Sequence, residues 1–410
     1  MPSAFLSNGK YLLAFGFLAV FVGNFGQSFF VGAFGAPIQA SLGLTASGYG
    51  LIYSLATLLA GTSLMVAGSW IDRIPLARFT FFVSLGLIVA CALFTVAMHP
   101  VILVMALYFL RLCGQGLLPH TGVTVMARCF DSHRGKAISV AASGVPVGEI
   151  VLPLLAALLI AQFGWQMTWL FVAGFVIVVF LPVYPLLLSR ATAAGYQFNP
   201  APSRVEKGES NDKAGAARRE LLTDRRFWFA LPALVAAPFV VTGIFIHQNF
   251  VMDQRAWSGD FFAMGFVLYG IVHWVSSIAA GVAVDRFSAS RLLPLYNLPM
   301  FLALAAVAFL QGDYLVFVLL GLLGVSIGSS GPVGGALWAE TYGTARLGTI
   351  RSMVASFGVW STSLSPFLFG LLIDTGVTLT ELAAALAAYV LLACIMASRS
   401  YRVSATALTR

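Results

Sequence analysis

Gly68-Ser69-Trp70-Ile71-Asp72-Arg73, followed by Arg78, recurs as Gly281-Val282-Ala283-Val284-Asp285-Arg286, followed by Arg291. The copies lie 213 residues apart, and the same offset carries Pro119 onto Pro332, Gly135 onto Gly348, Ala142-Ser143 onto Ala355-Ser356 and Pro153 onto Pro366. A register held without gaps over about 85 residues marks a tandem duplication in parallel orientation.

Composition says what was duplicated. Of 410 residues, 60% are apolar and only 9% charged, and the mean hydropathy is +0.92. Soluble domains carry about 25% charged residues, so this chain cannot build a water-facing surface. Twelve apolar runs fall at roughly 11–33, 47–67, 79–98, 101–126, 136–161, 166–189, 227–250, 260–283, 292–310, 314–338, 347–373 and 378–398. Each is near the ~20 residues that a helix needs to cross a bilayer. They are numbered here as spans 1 to 12. The expected fold is an all-α membrane protein of two pseudo-symmetric six-helix bundles, residues 1–189 and 227–410. Between them, 190–226 is rich in Pro, Gly, Ser and mixed charge and reads as a linker.

The net charge of +8 points to membrane topology and not to nucleic acid. Of 23 basic residues, all but Arg111 and Arg255 fall on the side of the amino terminus. The positive-inside rule then places both termini in the cytoplasm, with a bacterial inner membrane as the expected site. No cleavable signal is expected, since Lys10 directly precedes the first apolar run. Cys91, Cys113, Cys129 and Cys394 show neither metal-ligand spacing nor a disulfide framework, and no phosphate-binding loop is present. ATP is therefore excluded as the energy source, and no cofactor or metal is expected.

The Gly-x-x-x-Asp-Arg-x-x-x-x-Arg pattern between spans 2 and 3, repeated between spans 8 and 9, resembles motif A of the major facilitator superfamily, with Pro75 where that family usually has Gly. Arg111-Leu-Cys-Gly114-Gln-Gly116 resembles motif B, and Gly144-Val-Pro146-Val-Gly148 is similar to part of motif C of the antiporters. The resemblance covers essentially the whole chain. It implies a monomeric secondary transporter whose two bundles rock about a midplane site, moving a small solute through the lipid bilayer. Arg134-Gly135-Lys136-Ala137 and Phe163-Gly164-Trp165 look like the monocarboxylate and oxalate:formate branch. Those carriers hold the substrate carboxylate with an arginine in span 8. Here that position is Ser277, His273 stands where the animal carriers have Asp, and span 11 lacks a lysine. Carboxylate binding by span 8 is therefore not implied.

Ionisable groups inside a bilayer are costly and each invites a functional reading. Arg111 lies 17 residues before Arg128, about 26 Å along a helix, and Glu149 lies 13 residues after Lys136, about 20 Å. Two opposite charges on neighbouring spans at similar depth suggest a pair that an anionic substrate and a proton would break; the alternative is a permanent bridge pinning two helices. Gln115 shares the face of Arg111. Asn24 and Gln27 in span 1 and His247, Gln248 and Asn249 in span 7 are further substrate contacts by resemblance, because spans 1, 4, 7 and 10 line the family's cavity; Trp360 in span 11 is a further candidate for the cavity wall. Interhelical hydrogen bonding is the competing reading for the polar ones.

His273 follows Tyr269 and precedes Ser277 at four-residue spacing, a small and polar face. It suits a proton relay or, equally, a neutral hydrogen-bond partner. Gly321, Gly324, Gly328 and Gly331 read as a close-packing run. Asp72, Arg73, Arg78, Asp285, Arg286 and Arg291 are gate residues by resemblance. Glu340 joins them, with Arg286, Arg291, Arg346 and Arg351 as expected partners.

The expected activity is proton-coupled symport of a small organic anion. Proton-driven efflux of amphipathic compounds is the alternative, suggested by the partial motif C and the aromatic content. A membrane sensor would need an output domain that 190–226 is too short to supply. A membrane enzyme would need a nucleophile or metal constellation, and none is visible.

Overall fold

In lipid a backbone must satisfy its own polar groups, so an apolar chain of this length has helix as its natural answer. Every regular element among the described residues is helical. The computed structural model describes residues 2–130, 133–198, 219–343 and 347–401. The middle of the expected linker, Arg346, Arg402 and Arg410 lie outside them.

Ten helical stretches are long and apolar enough to cross a membrane. One of them, Arg134–Ala193, runs 60 residues but is broken at Gly164, whose φ of 78° and ψ of 165° belong to glycine almost alone. It therefore holds spans 5 and 6, and both its ends pack on span 1. With the shorter apolar helix Leu298–Phe309, the described residues supply the twelve expected spans. Side-chain caps begin several of them. Thr45 Oγ1 accepts from Gly48 N (3.1 Å), Ser258 Oγ accepts from Phe261 N (3.2 Å), and Thr378 with Glu381 forms a reciprocal capping box.

The chain divides into two compact units, Met1–Ser203 and Arg204–Arg410. In each, small residues let helix backbones touch, which is how packing is gained where lipid is as apolar as leucine. In the first unit a Cβ on Gly144 would lie 2.7 Å from the Phe17 carbonyl oxygen, so spans 5 and 1 meet backbone to backbone. A second anchor is aromatic: Trp169 stacks on Phe94 at 4.2 Å and meets Phe34 at 4.6 Å. In the second unit span 10 presses on span 8. A Cβ on Gly324 would lie 2.8 Å from the Tyr269 carbonyl oxygen, and one on Gly328 would strike that of His273. For these two positions the close-packing reading of the glycine run holds, whereas Gly331 has nothing within 4 Å.

At the start of span 7, Asp224 gathers three elements. It accepts from the backbone N–H of Arg226 (2.9 Å) and from the hydroxyl of Tyr342 at the end of span 10 (2.8 Å). Tyr342 also shares a hydrogen bond with Tyr401 beyond span 12 (2.8 Å), and the Arg226 guanidinium lies 5.3 Å from the Tyr401 ring. Burial alone would raise the Asp224 carboxyl, but hydrogen bonds from Arg226 and Tyr342 outweigh it and hold the group below its ordinary range. A depressed carboxylate lends stability that is present above its unfolded value, about 3.9, and lost as pH falls through the folded one. Asp224→Asn is accordingly expected to cost about 1 kcal/mol at pH 7. The gap between variant and wild type should close below about pH 4, and thermal unfolding across pH checks both statements.

Candidate functional site

Span 1 does not cross as one helix. The helix Pro2–Gly23 passes into a single 3₁₀ turn, Asn24–Gly26, then Gln27 is extended (φ −79°, ψ 152°), and helix resumes at Ser28–Gly32. Glycines at 23 and 26 weaken helix propensity, and a short amide side chain at Asn24 competes for backbone groups. Span 4 is also irregular. Between the α-helical segments Pro100–Phe109 and Leu118–Cys129, residues Leu110–Leu117 form a π-helix. Such wide turns recur at functional sites. This one contains Arg111, Gly114 and Gln115.

The two irregularities meet. A Cβ on Gly26 would lie 2.6 Å from the Leu110 carbonyl oxygen and would strike the Gln115 nitrogen; one on Gly114 would lie 3.0 Å from the Gly26 Cα. Across this contact, Nη1 of Arg111 donates to the carbonyl of Gly26 at 3.0 Å. The guanidinium also lies 5.0 Å from the centre of the Tyr53 ring in span 2. Arg111 is 4% exposed, so the charge is held inside the unit. Span 5 closes the cluster. Asn24 Nδ2 donates to the Gly144 carbonyl at 2.7 Å, and the Asn24 amide occupies the space where Gly148 would carry a Cβ. Glu149, the next residue, is likewise 4% exposed.

Buried polar atoms around this node without a hydrogen-bond partner among the described residues include Nε of Arg111, Oδ1 of Asn24, the hydroxyl of Tyr53 and that of Tyr49 one turn away. Protein interiors leave few such atoms unpaired. A buried anchor with an open donor, an open acceptor and an open hydroxyl is suited to a ligand or water carrying both kinds of partner.

Of the residues expected at a site, Asn24 and Arg111 meet at this node, the Gln115 backbone abuts Gly26, Glu149 follows Gly148, whose position Asn24 packs against, and Gln27 is the extended residue of the break. The remaining expectations are dispersed. In the second unit His247 and Gln248 sit where span 7 breaks, between Arg225–Ile246 and Gln248–Arg255. The His247 ring bonds the Pro366 carbonyl of span 11 at 2.8 Å, and Oε1 of Gln248 is buried without a partner. His273 is half-buried against the Tyr269 ring, at 5.9 Å between centroids. Trp360 is 57% exposed and leans on Phe357.

Among the gate residues, Asp72 pairs with Arg128 at the end of span 4, a partner the motif reading did not name. Arg73, Arg78, Asp285, Arg286 and Arg291 are exposed. Glu340 departs from expectation. Its carboxylate accepts from the backbone N–H of Ala289 (2.8 Å) and of Ser290 (3.4 Å), and not from Arg286, Arg291 or Arg351 among the described residues; Arg346 lies outside them. The short helix Ala289–Leu292 starts there with unspent N–H groups, which a carboxylate satisfies at close range.

Tyr53 was missed. Tyr49, Tyr53 and Thr57 recur every four residues in span 2, which puts hydroxyl-bearing side chains on one face. That was the available signal, in a span otherwise read as bulk apolar helix.

A duplicated helical bundle with a charged, unspent group at a broken span is the architecture of a membrane carrier. Residues 16–272 match the sequence profile of the Major Facilitator Superfamily, and the chain belongs to that superfamily. It is an integral membrane transporter that moves a small solute by alternating access, not an enzyme. In fold it is similar to a bacterial homologue of the human lysosomal transporter Spinster in an inward-facing, occupied state (TM-score 0.69, 15% identity, 96% of this chain and 97% of that one). It is also similar to the nucleoside transporter NupG (TM-score 0.72, 12% identity, 95% of this chain and 100% of that one). Likenesses at such identity speak to fold alone. No curated protein sequence matches the chain.

Proposed function

We propose that the transported solute is a small organic anion of monocarboxylate type, anchored by Arg111 and carried in symport with protons. The observation that supports this is the buried guanidinium with an unspent Nε beside the break in span 1. A cation kept away from water gains most from an anion that brings its own hydrogen-bond acceptors. Asn24 and Gln115 would orient the rest of the solute, and Gln27, His247, Gln248 and Trp360 remain candidates for contacts in other states of the cycle. Asp72 with Arg128, and Glu340 with the start of the Ala289–Leu292 helix, would serve as gate latches. Arg73, Arg78, Asp285, Arg286 and Arg291 would be their exposed companions. The linker 190–226 would join bundles 1–189 and 227–410 on the cytoplasmic face of a bacterial inner membrane, the side to which the basic residues point.

Glu149 is the proposed proton carrier, since it is a buried carboxyl in a span that abuts the same break; His273 is the second candidate. Glu149→Gln is expected to abolish proton-driven accumulation in proteoliposomes while leaving exchange down a substrate gradient. Wild-type pH dependence in that variant would remove Glu149 from the coupling. Substrate class is tested by thermal-shift screening of purified protein against carboxylates, amino acids and lipophilic cations. Stabilisation by lipophilic cations and not by carboxylates would favour efflux of amphipathic compounds instead.

A further inference from the structure

We infer that Tyr53 is a positioning residue for substrate: its ring holds the Arg111 guanidinium so that the Nε edge is presented to a carboxylate. This rests on the reading of Arg111 as the anion's anchor.

A guanidinium offers its donors in a fixed planar fork. Nη1 lies on one side, and Nε shares the other edge with Nη2, the edge that matches the two oxygens of a carboxylate. In this structure Nη1 is committed to the Gly26 carbonyl, while Nε is buried and has no hydrogen-bond partner among the described residues. One hydrogen bond from Nη1 fixes a point but leaves the plane free to swing about it. The Tyr53 ring, fully buried and 5.0 Å from the guanidinium carbon, supplies the second restraint. Attraction between cation and ring face is substantial where water is excluded. Together, carbonyl and ring leave one edge of the fork for a ligand.

The test uses full-length protein in detergent and in proteoliposomes, with lactate and pyruvate as probes. Tyr53→Phe keeps the ring and is expected to bind within about two-fold of wild type. Tyr53→Leu removes it and should weaken lactate and pyruvate about three- to thirty-fold. The loss should appear in KM, with kcat retained. Tyr53→Met carries the same expectation and serves if the leucine variant is not monodisperse. Tyr53→Leu or Tyr53→Met binding like wild type would overturn the positioning role and leave Arg111 untouched. Equal loss in Tyr53→Phe would overturn it too, since the hydroxyl and not the ring would then matter. Carboxylate binding that survives Arg111→Ala, or wild type that ignores every carboxylate, would instead remove the anion reading on which this one stands.

Discussion

Arg111→Lys is expected to weaken carboxylate binding by roughly ten- to a hundred-fold, although the charge is kept. The estimate follows from losing a charge-assisted hydrogen bond, about 1.5–3 kcal/mol, at 1.4 kcal/mol per factor of ten. In the native node the guanidinium does two things at once: it satisfies the Gly26 carbonyl exposed by the break in span 1 and keeps Nε for another partner. A lysine ammonium is a point charge on a flexible stem without a fixed fork. If it reaches the carbonyl it presents no defined edge to substrate; if it turns to substrate it leaves the carbonyl orphaned in a dry interior. Arg111→Ala should do worse, losing binding altogether and destabilising the first unit by the cost of an unsatisfied buried carbonyl, about 1–3 kcal/mol. Titrations of lactate or pyruvate against both variants, beside their thermal unfolding, separate the two effects. Lysine matching wild type would mean that only charge, and no geometry, recruits the solute.

The frame of this carrier was legible because it depends on quantities the sequence displays directly. Span number follows from length and hydropathy. The duplication follows from a constant offset that Gly68-to-Arg78 and Gly281-to-Arg291 make plain. The site was only half legible. Arg111 and Glu149 stood out because charge is rare in apolar runs, and Asn24 because amides are. The backbone irregularities that bring Arg111 and Asn24 together did not stand out. A 3₁₀ turn at Asn24–Gly26 and a π-helix at Leu110–Leu117 are local choices that the tertiary contact between the two spans decides. Tyr53 shows the same limit, since an aromatic in a lipid-spanning helix is ordinary until a cation is found over it.

Even the repeat misleads here. Shifted by 213, Asn24 falls on Ala237, inside the unbroken helix Arg225–Ile246, while span 7 breaks ten residues later at His247. The halves share their Gly-x-x-x-Asp-Arg loops in register but not the interruption of their first spans. The Arg111 node consequently has no counterpart at the matching position, which is Gly324, a packing contact against span 8.

Gly26→Val should be the most damaging apolar substitution in the first unit, although it adds no charge. The atoms that a Cβ would meet there are the Leu110 carbonyl oxygen at 2.6 Å and the Gln115 nitrogen, and both are backbone. A side chain in the way can change rotamer; a backbone can yield only by moving a helix. Overpacking typically costs 1–3 kcal/mol when side chains absorb it, so a cost of more than about 3 kcal/mol is expected where they cannot. Separating spans 1 and 4 would also draw Nη1 of Arg111 away from the Gly26 carbonyl, so binding should fall along with stability. Gly331→Val makes a fair control, since a Cβ there meets nothing within 4 Å in a helix of the other unit. The measurement is the thermal midpoint of each variant, with and without carboxylate. A Gly26→Val protein that unfolds with wild type and still responds to ligand would show that the two spans do not meet at this glycine. The buried cation would then have to find its support elsewhere.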